Sequence, residues 1–167
     1  EDDSYIEGLI AAARIFCEHA SRRAFVTQTL EWAIDTWPIG DSLTLPRPPL
    51  AAVTSVSYTK SDATTATVST ADYTVDTRST PGQIVLDYGV QWPSETLAPG
   101  LPIVVRFVAG YGTAAAVPST YKLAIKMLVA YWYENREAVM TPAGAAPKPI
   151  PLAVESLLAI DGGPRWL

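Results

Sequence analysis

Apolar residues recur at two different spacings along this chain, and the places where the spacing changes divide it into segments. From Asp3 to about Ala20 they fall at steps of three and four residues, which puts them on one face of a helix. Acidic residues begin this stretch and Arg22 and Arg23 follow it, as the helix dipole favours. The pattern predicts a first helix whose buried face comprises Ile6, Leu9, Ile10, Ala13, Phe16, Cys17 and Ala20.

After Phe25 apolar positions alternate with polar ones, which is the repeat of a half-buried strand. The first such run, TQTLEWAID, places Leu30, Trp32 and Ile34 on one face. Because Pro, Gly, Asp and Ser separate the runs, we predict roughly six short strands in an antiparallel sandwich or barrel. The proline-rich LPRPPL is a stiff connector or an edge, since proline has no N–H for the ladder. The other runs are SLTLP, VTSVSYTK, ATVSTADYTVDT, GQIVLDYG and LPIVVRFVAGYG.

The helical spacing returns after Pro118, where Ser119 is a suitable N-cap residue. The pattern predicts a second long helix from about Thr120 to Glu137, and Pro142 prevents its continuation. The stretch PAGAAPKPIP then reads as an extended linker, and LAVESLLAI is predicted to form a short third helix. The buried stripe of the second helix is predicted to comprise Leu123, Ala124, Met127, Leu128, Ala130 and Tyr131.

These segments predict an α+β fold. A helical core of two long helices plus a short C-terminal helix carries an antiparallel β-sandwich-like insertion between the first and second helices. The expected division is the first helix in residues 1–25, the β-rich insertion in 26–112, the second long helix in 113–141, and the linker, short helix and C-terminal tail in 142–167.

Composition narrows the classes of protein that fit this fold. Hydrophobic residues make up 49% of the chain and charged residues 17%, a balance common in proteins that cover their flanks with neighbours. The net charge of -5 opposes stable, sequence-independent DNA binding, which depends on cations that displace counterions. Since no apolar run approaches the roughly 20 residues of a membrane span, we expect a soluble protein. The sequence starts at Glu1 rather than at methionine, and we treat this residue as a truncation point.

Residue types that perform catalysis are sparse. The single cysteine excludes an internal disulfide and a multi-cysteine metal site. Cys17 and the single histidine, His19, are two residues apart on the first helix, so they point to different faces and cannot act together as nucleophile and base. Asp72, Asp76 and Asp87 occupy strand positions on the predicted solvent face. We therefore predict no catalytic residues, no cofactor and no metal site.

The aromatic residues of the β segment raise one alternative function. Trp32, Tyr58 and Tyr73 fall on the apolar phase of their strands, which favours the core. Trp37 and Trp92 precede prolines in loops and are free to stack on sugar rings. The alternative is therefore a carbohydrate-binding or adhesin-like β-sandwich module. It predicts a monomer with exposed aromatic residues aligned on one sheet face.

Four stretches, in their order and spacing, resemble a known family. They are LIAAARIFCEHASRRAFVTQTLEW, LPRPPLAAVTSVSY, DYTVDTRSTPGQIVL and VVRFVAGYGTAAAVPSTYKLAIKMLVAYWYENREAV. Together they are similar to the phage head-tail connector (adaptor) proteins of long-tailed double-stranded DNA phages, prophages and gene transfer agents. The resemblance covers nearly the whole chain, from about Ile6 to Leu158.

The resemblance implies a structural protein of the virion, located at the head-tail interface and assembled in the host cytoplasm. Subunits of this family form a ring, typically of twelve, beneath the portal protein at the capsid vertex. The ring extends the DNA channel, contacts passing double-stranded DNA only transiently, and presents a surface to the next neck or tail component. No cofactor and no membrane contact are implied.

Within that framework we assign residues to three kinds of contact. The C-terminal segment is expected to dock on the portal or a neighbouring subunit through Leu152, Leu157, Leu158, Arg165 and Trp166. The end of the second helix is expected to contact a neighbouring subunit through Tyr133, Glu134, Arg136 and Glu137. Lys122 and Lys126, four residues apart on the second helix, are expected to face the channel.

Overall fold

The structure is a computed structural model, which describes residues 2–135 and 151–160. The chain divides into two compact units, the helical unit of Glu1–Arg22 and Val117–Leu167 and the β unit of Arg23–Ala116. The predicted α+β fold, with strands inserted between the first and second helices, is confirmed. The finer division at residues 25, 112 and 141 stays a prediction. The described elements are α1 (Asp2–Ser21), β1 (Gln28–Ile34), β2 (Ser42–Thr44), β3 (Leu50–Thr59), β4 (Thr65–Thr67), β5 (Tyr73–Asp76), β6 (Gln83–Leu86), β7 (Ile103–Ala109), α2 (Ser119–Glu134) and α3 (Leu152–Ile160).

The β unit contains two antiparallel sheets that share one core. The larger sheet has the strand order β1-β7-β3-β4, and the smaller has the order β2-β6-β5. In the central strand β7 every second residue is buried, as alternation requires. Buried residues of both sheets form the core, among them Leu43, Leu45, Val56, Tyr58, Tyr73, Ile84, Leu86, Ile103, Val105 and Phe107.

One predicted strand is two strands. The run ATVSTADYTVDT contains β4, which pairs with β3 in the larger sheet, and β5, which pairs with β6 in the smaller one. A turn separates them, in which the Asp72 N–H donates to the Ser69 carbonyl (3.0 Å). The apolar positions change phase across this turn, from Ala66 and Val68 to Tyr73 and Val75, but this shift does not reveal that the chain changes sheets.

The LPRPPL segment connects β2 to β3, as predicted. Proline lacks an N–H donor, but its carbonyl oxygen can still accept a hydrogen bond. The Pro48 carbonyl accepts from the Ala24 N–H (3.1 Å), and the Pro49 carbonyl accepts from the Gly110 N–H (2.9 Å). These hydrogen bonds therefore connect residues near the start and the end of the β unit to the residues directly before β3.

Helix ends follow local backbone geometry. Arg22, directly after α1, has a φ of 55°, and its N–H donates to the His19 carbonyl (3.2 Å), a common way to end a helix. The prediction that Ser119 is the N-cap is wrong by one residue. Pro118 occupies the cap position without a side-chain hydrogen bond, and Ser119 is the first helical residue.

The buried faces of the helices are narrower than predicted. In α2 the buried residues are Tyr121, Ala124 and Leu128, spaced by three and four. Tyr121 begins this stripe and is absent from the predicted one, although it lies three residues before Ala124 and so shares its face. In α1 the fully buried apolar residues are Ala13 and Cys17. Four residues predicted to be buried are instead exposed, namely Ile10, Ala20, Leu123 and Ala130.

Candidate functional site

Aromatic residues near the end of α2 join this helix to α1. Trp132 meets Phe16 edge-on, with ring centroids 6.3 Å apart and planes at 81°. Tyr133 lies beside Tyr5, with ring centroids also 6.3 Å apart, and its hydroxyl donates to the Asp2 carboxylate (2.9 Å). Both aromatic residues thus contact the first helix of their own chain. The contact of Tyr133 with a neighbouring subunit stays a prediction, and in the structure this half-buried residue contacts α1 of its own chain.

Next to this contact the two helices leave an open groove of about 490 Å³. Most of its lining is apolar, and its charged members are Lys122, Lys126 and Glu134. The size falls in the range of roughly 300–1,000 Å³ that is usual for binding pockets. We call it the α1–α2 groove, and it is lined by Ile6, Ile10, Lys122, Ile125, Lys126, Val129, Ala130, Tyr133 and Glu134.

Charges are distributed unevenly along the α1–α2 groove. Lys122 and Lys126 stand one helical turn apart, and Lys126 is exposed. The exposed Glu134 lies about 12 Å farther along the helix axis. The structure thereby brings together four residues that the sequence assigns to two roles, the channel and the subunit contact. Those roles stay predictions for Lys122, Lys126, Tyr133 and Glu134.

The apolar lining of this groove was not predicted as a site. Ile6 and Ile10 belong to the predicted buried face of the first helix, yet Ile10 is 48% exposed. Ile125 and Val129 are four residues apart and so share a face of α2. That spacing was the sequence signal for a shared apolar surface. It does not show which apolar face of α2 stays exposed in the folded chain.

The three leucines predicted to dock differ in accessibility. Leu152 is 79% exposed, Leu157 is half-buried, and Leu158 is 6% exposed. Leu158, like Val154, is therefore buried in the interior of the helical unit and does not lie on an exposed docking face. Four other residues assigned to contacts lie outside the described residues, and their roles stay predictions: Arg136, Glu137, Arg165 and Trp166.

Cys17 is buried in the helical unit. Burial and the nearby Glu18 carboxylate raise the pKa of its thiol to about 11, so the thiol is protonated at neutral pH and is a poor nucleophile. Among residues 2–135 and 151–160, no group of three or more His, Cys, Asp or Glu side chains is arranged to hold a metal ion. None of the helices in these ranges is long and apolar enough to cross a bilayer.

The strand carboxylates make local hydrogen bonds. Asp76 accepts from the Ser79 hydroxyl and from the N–H groups of Arg78 (2.9 Å) and Ser79 (3.3 Å). These bonds, the hydroxyl first, hold the pKa of the Asp76 carboxyl below its usual value. Asp87 accepts from the Thr74 hydroxyl (2.9 Å). Both carboxylates therefore support the ends of β5 and β6.

The two tryptophans that favoured sugar binding stack on each other. The rings of Trp37 and Trp92 are 4.9 Å apart and nearly parallel, at 9°. Trp37 also meets Tyr58 edge-on at 5.7 Å, and the Trp92 indole donates to the Gly40 carbonyl (2.9 Å). One face of each indole is therefore covered by the other indole, and both side chains pack against the core of the β unit.

Three solved chains from gene transfer agent (GTA) particles are similar to this one, each with 23% sequence identity. One belongs to the virion of a native GTA particle, with a TM-score of 0.73 over 95% of this chain and 77% of that chain. The second, from the neck of an empty particle computed with C6 symmetry, has a TM-score of 0.73 over 94% and 79%. The third, from the neck of a native particle computed with C12 symmetry, has a TM-score of 0.69 over 93% and 82%. At this identity the likeness concerns the fold.

No curated protein matches the chain. The sequence profile of a family described as head completion protein, by contrast, matches residues 1–145. The matched range includes α1, the whole β unit and α2, and it confirms the resemblance derived from the sequence. The chain belongs to the head completion protein family.

Proposed function

We propose that this chain is a structural head-tail connector subunit, which forms a ring in the neck of a phage-like particle and links the head to the tail. The observation that carries the proposal is the shared fold, over 93% of the chain, with a protein in a particle neck computed with C12 symmetry. Membership of the head completion protein family supports the same role. The portal protein, neighbouring subunits and the next neck or tail component are the partners we propose.

The charge of the chain fits a ring around a DNA channel. With a net charge of -5, subunits repel a phosphate backbone more than they attract it, which lets DNA pass without being held. Lys122 and Lys126 are the residues we propose for transient, non-specific contact with that DNA. A structural role without catalysis also agrees with the protonated, buried thiol of Cys17.

We propose that the C-terminal segment docks on the portal or on an adjacent subunit. The exposed Leu152 offers apolar surface at the start of α3. Arg165 and Trp166 belong to the residue types that dominate binding energy at protein interfaces. Tyr133, Glu134, Arg136 and Glu137 are proposed to contact the neighbouring subunit, with the Arg136 guanidinium as donor to a carboxylate.

Mass measurement of the purified chain with its portal protein tests the proposed function. We expect a ring-sized complex with several copies of the chain per portal, observed by native mass spectrometry. The chain alone is the control, since a subunit of this kind can stay monomeric until it meets the portal. A chain that remains monomeric beside an assembled portal at every ratio tested contradicts the proposal.

A shortened chain tests the docking segment separately. Residues 161–167 should be removed while α3 is kept, because Val154 and Leu158 lie in the interior of the helical unit. We expect portal binding to weaken about tenfold or more, the loss that one interface hot spot causes, with the melting temperature unchanged. Unchanged binding of the shortened chain would show that docking uses another surface.

A further inference from the structure

Two large apolar side chains stand fully exposed at one end of the smaller sheet. The exposed fractions of Ile39 and Tyr88 are 110% and 108%. Ser42 pairs with Val85 in the β2–β6 ladder, and Ile39 and Tyr88 each lie three residues beyond that pair. The two side chains therefore extend from the same end of neighbouring strands.

Hydrogen bonds hold the two loops together at this end. The Leu86 N–H donates to the Asp41 carbonyl (2.8 Å), and the Trp92 indole N–H donates to the Gly40 carbonyl (2.9 Å). The stacked indoles of Trp37 and Trp92 brace the same loops from the core side. The exposed pair is thus presented on a braced scaffold, which lowers the entropy lost when such a surface binds.

The surroundings of this pair are acidic. Asp41 precedes β2, Asp87 follows β6, and the Asp87 N–H donates to the Asp72 carbonyl on the adjoining β5 side (3.0 Å). The segments 35–42, 69–74 and 87–92 contain no Lys or Arg. We call this surface the β tip, and it comprises Ile39, Tyr88, Asp41 and Asp87.

The α1–α2 groove is complementary to the β tip in polarity and charge. Its lining combines aliphatic side chains such as Ile125 and Val129 with two lysines one helical turn apart. The acidic Glu134 lies about 12 Å from Lys126 along the helix axis. Apolar groups with acidic neighbours on one surface thus match the lysine end of the apolar groove on the other. Complementary charges of this kind set orientation and steer encounter, while burial of Ile and Tyr side chains stabilises the contact.

We propose that the β tip of one copy docks into the α1–α2 groove of a neighbouring copy. The contact joins two different surfaces, so it is head-to-tail, and repetition of a head-to-tail contact closes a ring when the rotation permits. This inference rests on the proposed ring. It names the two surfaces that bind each other there, and it is an alternative to the channel-facing role of Lys122 and Lys126, which a docked β tip would cover.

Disulfide cross-linking between two variants, each with one added cysteine, tests the contact. Tyr88→Cys and Ala130→Cys both replace exposed residues, one on the β tip and one in the α1–α2 groove. In a mixture assembled with the portal and mildly oxidised, we expect a cross-linked dimer that neither variant gives alone. The native Cys17 is buried and has a raised thiol pKa, so it stays unreacted.

A matched control replaces Tyr88→Cys with Thr77→Cys. Thr77 is exposed in the β5–β6 turn, at the opposite end of the smaller sheet. No cross-link to Ala130→Cys is expected there. A cross-link of equal yield in the control would overturn the assignment, because it would reflect random collision.

A double substitution provides an independent measure. Ile39→Ser with Tyr88→Ser should raise the concentration needed for half-maximal ring assembly about tenfold or more. The melting temperature should not change, since neither side chain contributes to the core. If wild-type rings form but no Tyr88–Ala130 cross-link appears and the double variant assembles normally, the inference is wrong and the connector function stands. If wild type forms no ring with the portal, both are wrong.

Discussion

At the residue scale, Gly110 occupies a position where backbone geometry admits no side chain. Its φ is 123°, and a Cβ there would lie 2.6 Å from the Val26 carbonyl oxygen. Its N–H donates to the Pro49 carbonyl (2.9 Å). The sequence explains the GYG motif by backbone turning, and the structure agrees, since both glycines have a positive φ.

Gly110→Ala should lower the free energy of unfolding by about 3 kcal/mol, because strain at φ 123° and a collision with Val26 combine. Gly112→Ala is the matched control. Its φ is 113°, but the nearest atom to an added Cβ is 3.7 Å away, so a loss of about 1–2 kcal/mol is expected. Urea denaturation of both variants measures the difference. Equal losses would show that the close approach to Val26 costs nothing.

At the element scale, the end of α2 is a joint between helices of one chain. Trp132 and Tyr133 are adjacent in sequence and point to different sides of α2, since neighbours are about 100° apart. Each nevertheless finds an aromatic partner on α1, Phe16 for Trp132 and Tyr5 for Tyr133. Two of the three adjacent aromatic residues, Trp132 and Tyr133, thus stabilise the helical unit of their own chain.

Trp132→Ala should lower the free energy of unfolding by about 2 kcal/mol, because it removes a large, partly buried ring and its edge-on partner. Tyr133→Phe keeps the ring beside Tyr5 and removes the hydroxyl that donates to Asp2. We expect a loss of about 0.5–1 kcal/mol for that hydrogen bond. Denaturation curves compare the two, and a larger loss for Tyr133→Phe would contradict this ranking.

At the scale of the whole molecule, the composition fits the proposed role in assembly. Charged residues are few and the net charge is negative. The exposed apolar side chains include Ile39, Tyr88 and Leu152, which is expected of a subunit that covers its flanks with partners. The same balance predicts how the chain meets nucleic acid.

The chain should not bind short duplex DNA stably at about 0.15 M salt, since a net negative charge supplies too little counterion release. Weak retention at low salt is expected, and Lys122→Glu with Lys126→Glu should abolish it. The pair Arg14→Glu with Arg78→Glu changes the net charge equally at positions outside the α1–α2 groove and is the control. Mobility-shift assays measure retention. Tight binding at about 0.15 M salt would contradict the channel role proposed for the two lysines.

The spacing of apolar residues along the chain was sufficient to predict the regular helices and strands. The three-and-four spacing of α1 and the alternation of β7 follow from helix and strand geometry, so their existence and type could be predicted from the sequence. The change of sheet inside ATVSTADYTVDT could not, because the shift in alternation at STAD indicates a turn but does not tell which sheet the next strand joins. Leu158 and Leu152 likewise read as one apolar face, yet packing within the helical unit buries Leu158 alone.

The sequence by itself determined the α+β class, the β insertion and the family, since these depend on local spacing and on the order of segments. The tertiary structure decided which apolar residues stay uncovered: the lining of the α1–α2 groove and the pair Ile39 and Tyr88. It also showed that Trp37 and Trp92, the candidates for sugar binding, stack on each other. The physical reason is that burial depends on contacts between residues far apart in the chain, which spacing along the chain does not specify.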